Sequence, residues 1–179
     1  IARSYDIDLA PYVSATGAQL LAKLNKASIV NVLAQYSGLK WTDLVKPQYA
    51  NPNSIPEFVA SANKVIMGTG GTPKVPMQIT QGVAGEMEGT PGDKPGIGKG
   101  DGAMIAGDVR TLSRSYCGKG VKVKYSEPAL SHFGTMAVWL PEAISWTFDR
   151  FSLLGPWTIP SNCSSIKPGN SLAPLVYQP

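Results

Sequence analysis

One histidine, two cysteines and no apolar run long enough for a membrane span set the first limits on this chain of 179 residues. His132 is the only imidazole, and the carboxylates are scattered around it. That is no ligand set for a metal, so neither a metal nor a cofactor is expected. Cys117 and Cys163 make no CxxC pair, which removes zinc ribbons and thioredoxin-like redox motifs. Two readings remain for them: a bond formed in an oxidising compartment, worth about 4 kcal/mol in the chain-entropy model, or two buried free thiols. A bilayer-spanning helix needs ~20 mostly apolar residues, and no stretch supplies them. Charged residues are few, 16% against 43% hydrophobic, which is the balance of a folded domain and not of a disordered chain. The net charge of +4 is mildly basic. The lysines are not gathered with aromatics along one face, so nucleic acid is not an expected partner. Lys119, Lys122 and Lys124 come nearest to a cluster and suit the solvated face of an edge strand, with a weak attraction to anionic lipid as the other use for them. The chain opens on Ile1-Ala2-Arg3, with neither an initiator methionine nor a basic-then-apolar leader. A processing site, a proteolytic cut or an imposed boundary is expected there.

What is present reads as one domain or part of one, since domains run to roughly 100–150 residues. Tyr5, Ile7 and Leu9 alternate with polar residues before Pro11, as in an extended lead-in. Thr16-Gly17-Ala18-Gln19 has the form of a capping box. The helix it predicts carries Leu20, Leu21 and Leu24, then Ile29, Val32, Leu33 and Tyr36, and ends at Gly38. From Leu39 to Pro56 the periodic pattern breaks down, and the prolines and asparagines there predict a loop, while Pro56 followed by Glu57 predicts a short helix over Pro56–Lys64. Residues 75–82 are the best strand candidate. Residues 83–100 are dense in glycine and proline and predict a mobile loop bordering a site. Ile105, Val109, Leu112 and Tyr116 predict a helix ending at Gly118 and Gly120. Val121, Val123 and Tyr125 then alternate with lysines, as in an edge strand with one buried face. A last helix is expected with Pro141 in its first turn and Ala143, Ile144, Phe148 and Phe151 facing inward.

Alternating helices and strands are the pattern of a parallel sheet flanked by helices. Reactive groups in such sheets lie just beyond the carboxyl ends of the strands. Asp101 follows one strand, and His132 lies in the loop after the next. An Asp and a His in that order are the second and third members of a Ser, Asp, His triad. In such a triad the imidazole moves the proton and the carboxylate fixes its tautomer. Asp108 is the competing carboxylate, seven residues further on beside Arg110. Asp101 at a loop-to-helix boundary also suits a plain helix cap.

The run from Gly100 to Phe151, followed by Ser161-Asn162-Cys163, resembles the C-terminal part of the secretory lipase family. These are α/β-hydrolases that include the Candida lipase A type and actinobacterial secreted esterases. The resemblance lies in Gly100-Asp101-Gly102 before a helix ending Tyr116-Cys117, then Gly120 to Tyr125, His132, and a helix ending Arg150-Phe151. It implies the C-terminal half of an α/β-hydrolase fold, a mostly parallel sheet flanked by helices. Residues 1–70 would be a helical segment leading out of the cap region, 71–163 the core carrying the acid and base, and 164–179 a surface tail. The resemblance implies that Asp101 and His132 are catalytic and that Cys117 and Cys163 form a disulfide. It further implies a secreted serine esterase or lipase acting on acyl or lipid esters, with the lipid–water interface as a working environment. The departure is that no Gly-x-Ser-x-Gly occurs in the sequence. Ser37, in Gln35-Tyr36-Ser37-Gly38, lacks the first glycine and falls at a helix end, so it is rejected as nucleophile. The serine is therefore expected on a separate N-terminal segment or chain, held tightly because a half-sheet alone exposes an edge and an apolar face. Residues 83–99 look expanded relative to the family pattern. The rival class is a non-catalytic binding or structural module that keeps the half-fold.

Overall fold

Period-two patterning and two well-signalled helices account for most of the second half of the chain. The computed structural model describes residues 5–28, 31–32, 35–36, 38–85, 93–151 and 158–179. The chain divides into two compact units, Ile1–Thr69 with Ala173–Pro179, and Gly70–Leu172. The segment expected as a tail, 164–179, is thus shared between the units.

In the first unit, α1 spans Ala15–Leu24 and is capped by Ser14, whose Oγ accepts the Gly17 N–H at 3.0 Å. The cap is two residues earlier than the Thr16 box predicts, because the Ser14 hydroxyl is placed to accept from its third helical residue. The expected continuation through Ile29 and Leu33, and Ser37 itself, lie outside the described residues. A short α2, Trp41–Leu44, follows inside the stretch 39–56 expected as a loop, its start held by the Asp43 side chain, which accepts the Lys40 N–H at 2.8 Å; then comes α3, Pro56–Lys64, with proline in its first turn over the predicted span. Val45, Ile55 and Val59 are buried here. Trp41 anchors the loop between α2 and α3, donating Nε1–H to the Tyr49 carbonyl at 2.8 Å with its ring against Phe58.

The second unit holds a mixed α/β arrangement around a two-stranded parallel sheet. Strand β1, Met77–Thr80, pairs with β4, Val123–Ser126, in the register Met77 to Val123 through Thr80 to Ser126. Between them, β2 (Asp93–Lys94) and β3 (Gly98–Lys99) form a small antiparallel hairpin inside the stretch whose composition predicts no regular structure. A turn closed locally needs only the two or three pairings made there, which glycine-rich composition does not prevent. Helix α4, Ala106–Gly118, packs on β4, and Gly120 at φ 86° ends it as predicted. Val123 and Tyr125 are buried on that side, with Val109 and Ala106 of α4 also buried. Tyr125 donates its hydroxyl to Glu127, which also accepts from Arg110 Nε, so α4 and the end of β4 are tied by a phenol, a carboxylate and a guanidinium. Burial first, and the Glu127 carboxylate second, push the Tyr125 phenol well above its ordinary range.

Helix α5, His132–Phe151, corrects two expectations. It begins nine residues before Pro141, so His132 is its first residue and does not lie in a preceding loop. Ser131 supplies the start, its Oγ accepting the Gly134 N–H at 3.2 Å. Pro141 sits in the interior, where it removes one backbone bond to residue 137; Ala137 and Pro141 are both exposed, so the freed carbonyl faces solvent. The apolar face is also turned the other way. Ile144, Phe148 and Phe151 are 49%, 70% and 82% exposed. The side of α5 turned to the sheet carries Glu142, which accepts from Gln78 Nε2 at 3.1 Å and pairs with Lys124 at 3.8 Å. Alternation places Gln78, Thr80, Lys124 and Ser126 on one face of the sheet, and this polar face is what α5 covers.

The outer edge of β4 is closed by the segment after α5. The Asn162 side chain accepts the Tyr125 N–H and donates to the Tyr125 carbonyl, both at 2.8 Å, while Asn162 N–H and Ser161 Oγ donate to the Val123 carbonyl. One side-chain amide thus stands in for a neighbouring strand's peptide group. A Cys117–Cys163 disulfide fastens this segment to the end of α4. Residues 166–170 continue along α4, with Ile166 buried and the Asn170 N–H donating to the Gly107 carbonyl at 3.0 Å.

Candidate functional site

Both strands of the parallel pair run towards the same edge, and the segments leaving them are laced together there. After β1, Val83 N–H donates to the Pro128 carbonyl at 3.1 Å and Ala84 N–H to the Leu130 carbonyl at 3.0 Å. Gly85 N–H then donates to the Gly100 carbonyl at 3.0 Å, bringing the far end of the long connection back to the strand. Two glycines permit this approach. A Cβ on Gly82 would lie 2.4 Å from the Leu130 carbonyl oxygen and 2.9 Å from the Asp101 Cβ, and one on Gly85 would lie 2.0 Å from the Gly102 nitrogen. Gly85→Ala is therefore expected to lower stability by about 1–3 kcal/mol, the usual cost of overpacking. Gly118→Ala, whose added Cβ meets nothing within 4 Å, is the control. Denaturant midpoints of the two variants check this, and equal midpoints would contradict the close approach.

Asp101 is held in a turn and does not cap α4, which starts at Ala106 with Ile105 as its cap residue. Its Oδ1 accepts the Ala103 N–H at 2.9 Å and the Met104 N–H at 2.7 Å, closing residues 101–104 on themselves. The other oxygen, Oδ2, meets His132 Nδ1 at 2.8 Å. A second bond between the same two residues, His132 N–H to the Asp101 carbonyl at 2.7 Å, locks the first residue of α5 onto the turn. Sequence places the two 31 positions apart, and the fold joins them at two points. Asp108, the alternative carboxylate, lies in the first turn of α4 and accepts from Asn170 Nδ2 at 2.9 Å. Its hydrogen bond serves the packing of residues 166–170.

The electrostatics of the pair are unequal. The Asp101 side chain is 4% exposed and the His132 ring 43%. Burial acts to raise the Asp101 pKa, but hydrogen bonds from His132 and from the Met104 and Ala103 N–H groups together outweigh it and hold the carboxyl below its ordinary value. An ionised carboxylate can only accept, so Nδ1 carries the proton. In the neutral ring Nε2 is then the lone-pair nitrogen, and it has no hydrogen-bond partner among the described residues. This arrangement can take a proton from a donor brought to the open edge of the ring, with the imidazolium stabilised from behind.

Several residues that build the site carry weak sequence signals. Ser131 before His132 is a legible helix-start signal, and Gly82 marks a strand end. Nothing in the local sequence points to Gly85 as a contact of Asp101, since the contact crosses the long connection. No family model, curated protein or solved structure matches this chain.

Proposed function

We propose that this chain supplies the acid and base of a secreted serine hydrolase of the α/β-hydrolase kind that cleaves carboxylic esters, with the nucleophilic serine carried on another polypeptide segment. The observation that carries the reading is the Asp101–His132 hydrogen bond, made by a buried carboxylate to a half-exposed ring at the carboxyl end of a parallel sheet. In this chemistry, Nε2 of His132 takes the serine hydroxyl proton as Oγ bonds to the ester carbonyl carbon. The imidazolium then gives that proton to the departing alcohol. Water repeats the sequence on the acyl-enzyme, releasing the acid. A long acyl or lipid chain is compatible with the apolar character of the exposed α5 face, which would suit work at a lipid–water interface. The disulfide, together with the absence of any helix long and apolar enough to cross a membrane among the described residues, is compatible with secretion.

The absence of a Gly-x-Ser-x-Gly elbow favours one competitor, a binding or structural module without chemistry. A fluorophosphonate probe separates them. On the ester-hydrolase reading, a polypeptide that co-purifies with this chain is labelled, short-chain p-nitrophenyl esters are hydrolysed, and His132→Ala abolishes both. No labelled polypeptide and no hydrolysis would sink it.

A further inference from the structure

In the first unit, residues 5–12 run past one face of α3, and a recess of about 380 Å³ lies between them. From α3 it is lined by Glu57, Ala60, Ser61 and Lys64, whose spacings of three and four put their side chains on one face of the helix. Three carboxylates, Asp6, Asp8 and Glu57, stand in it against one ammonium, Lys64, so two negative charges are in excess.

The carboxylates keep binding capacity. Asp6 makes no hydrogen bond or ion pair among the described residues. Asp8 uses only Oδ1, which accepts the Ala10 N–H at 2.9 Å. Glu57 is fixed by Tyr12, whose hydroxyl donates to Oε2 at 2.6 Å, and that bond holds the Glu57 carboxyl below its ordinary value. Lys64 does not neutralise them. Its Nζ lies 5.2 Å from the centre of the Tyr5 ring, and no carboxylate among the described residues pairs with it.

Ser61 narrows what the recess can take. The residue is 4% exposed, and its hydroxyl has no hydrogen-bond partner among the described residues. A helical serine can donate to the carbonyl four residues earlier, as Ser113 does to Val109, but Ser61 does not. Leaving a buried hydroxyl unpaired is costly, and ionised carboxylates beside it can only accept. The missing partner is therefore an N–H donor that negative charge attracts. The carboxylates do not converge as metal ligands do, since no group of three among the described residues could hold an ion. A quaternary ammonium has no proton to give Ser61. A protonated primary amine has three, and Ile7 and Pro11 offer its alkyl stem an apolar wall.

We propose that this recess binds an aliphatic diamine, one ammonium donating to the Ser61 hydroxyl and to Glu57 one helical turn away, the other balancing Asp6 and Asp8. The site belongs to the first unit and does not rest on the ester-hydrolase reading.

The test titrates putrescine into the full chain at physiological salt and follows backbone amide chemical shifts. The shifts should saturate and centre on residues 5–12 and 57–64. Butylamine, with one ammonium, and tetramethylammonium, with no N–H, should each bind at least about tenfold more weakly, the loss of a charge-assisted hydrogen bond. Ser61→Ala should weaken putrescine about fivefold or more and leave tetramethylammonium unchanged. Alanine is the better helix former at that position, so the far-ultraviolet spectrum should be preserved. Asp8→Asn, which keeps an oxygen for the Ala10 N–H, should also weaken putrescine. Equal affinity for the three cations, putrescine binding unaltered by Ser61→Ala, or shifts centred elsewhere would overturn the proposal.

Discussion

On the ester-hydrolase reading, Asp101→Asn is expected to reduce ester turnover by about 10⁴-fold, the loss that follows when a triad carboxylate becomes an amide. The reason lies in how the turn orients that amide. The Ala103 and Met104 N–H groups both donate to one oxygen of Asp101. An amide NH2 placed there would set donor against donor, so the asparagine oxygen stays on the turn and its nitrogen faces His132. Nδ1 must then accept, the ring proton moves to Nε2, and the base is lost. The turn keeps both of its backbone bonds, so the far-ultraviolet spectrum and thermal midpoint should change little. Turnover within tenfold of the unaltered enzyme, at unchanged folding, would show that Asp101 does not set the tautomer.

Replacing both cysteines, Cys117→Ala with Cys163→Ala, should lower the unfolding free energy by about 4 kcal/mol in the chain-entropy model for a separation of 46 residues. The structure adds a second consequence. Without its anchor, the segment carrying Ser161 and Asn162 leaves β4, and the peptide groups of Val123 and Tyr125 become an open edge that can pair with another chain. The double variant should therefore associate in a concentration-dependent way as well as unfold at lower denaturant. Asn162→Ala, with the disulfide intact, removes two hydrogen bonds of about 1 kcal/mol each and should give the smaller shift. Equilibrium unfolding read at several protein concentrations separates the two effects. An unchanged midpoint in the cysteine variant would mean the segment is held by its hydrogen bonds alone.

Local signals were legible wherever one short stretch carried them. Proline at position 56 marks the start of α3, and the spacing from Ile105 to Tyr116 marks α4. The alternation from Val121 to Tyr125 marks β4 and its buried side. Signals failed where a distant segment decides the outcome. Ile144, Phe148 and Phe151, expected inward, are exposed. The face of the sheet beneath α5 is polar, and Glu142 pairs with Gln78 and Lys124 across it. Pro141 lies inside α5 because Ser131, whose Oγ accepts the Gly134 N–H, starts the helix nine residues earlier.

The chain by itself determined that a single histidine follows the second strand, that an aspartate follows the first, and that two cysteines can meet. These are matters of residue type, spacing and period. Only the tertiary structure decided that Oδ2 of Asp101 reaches Nδ1 of His132 while Asp108 serves the packing along α4, and that Asn162 closes the outer edge of β4. The Asp101–His132 contact depends on two glycines allowing backbones to touch, and the closed edge on one amide matching a peptide group 37 residues away. Periodicity carries no information about contacts of that kind.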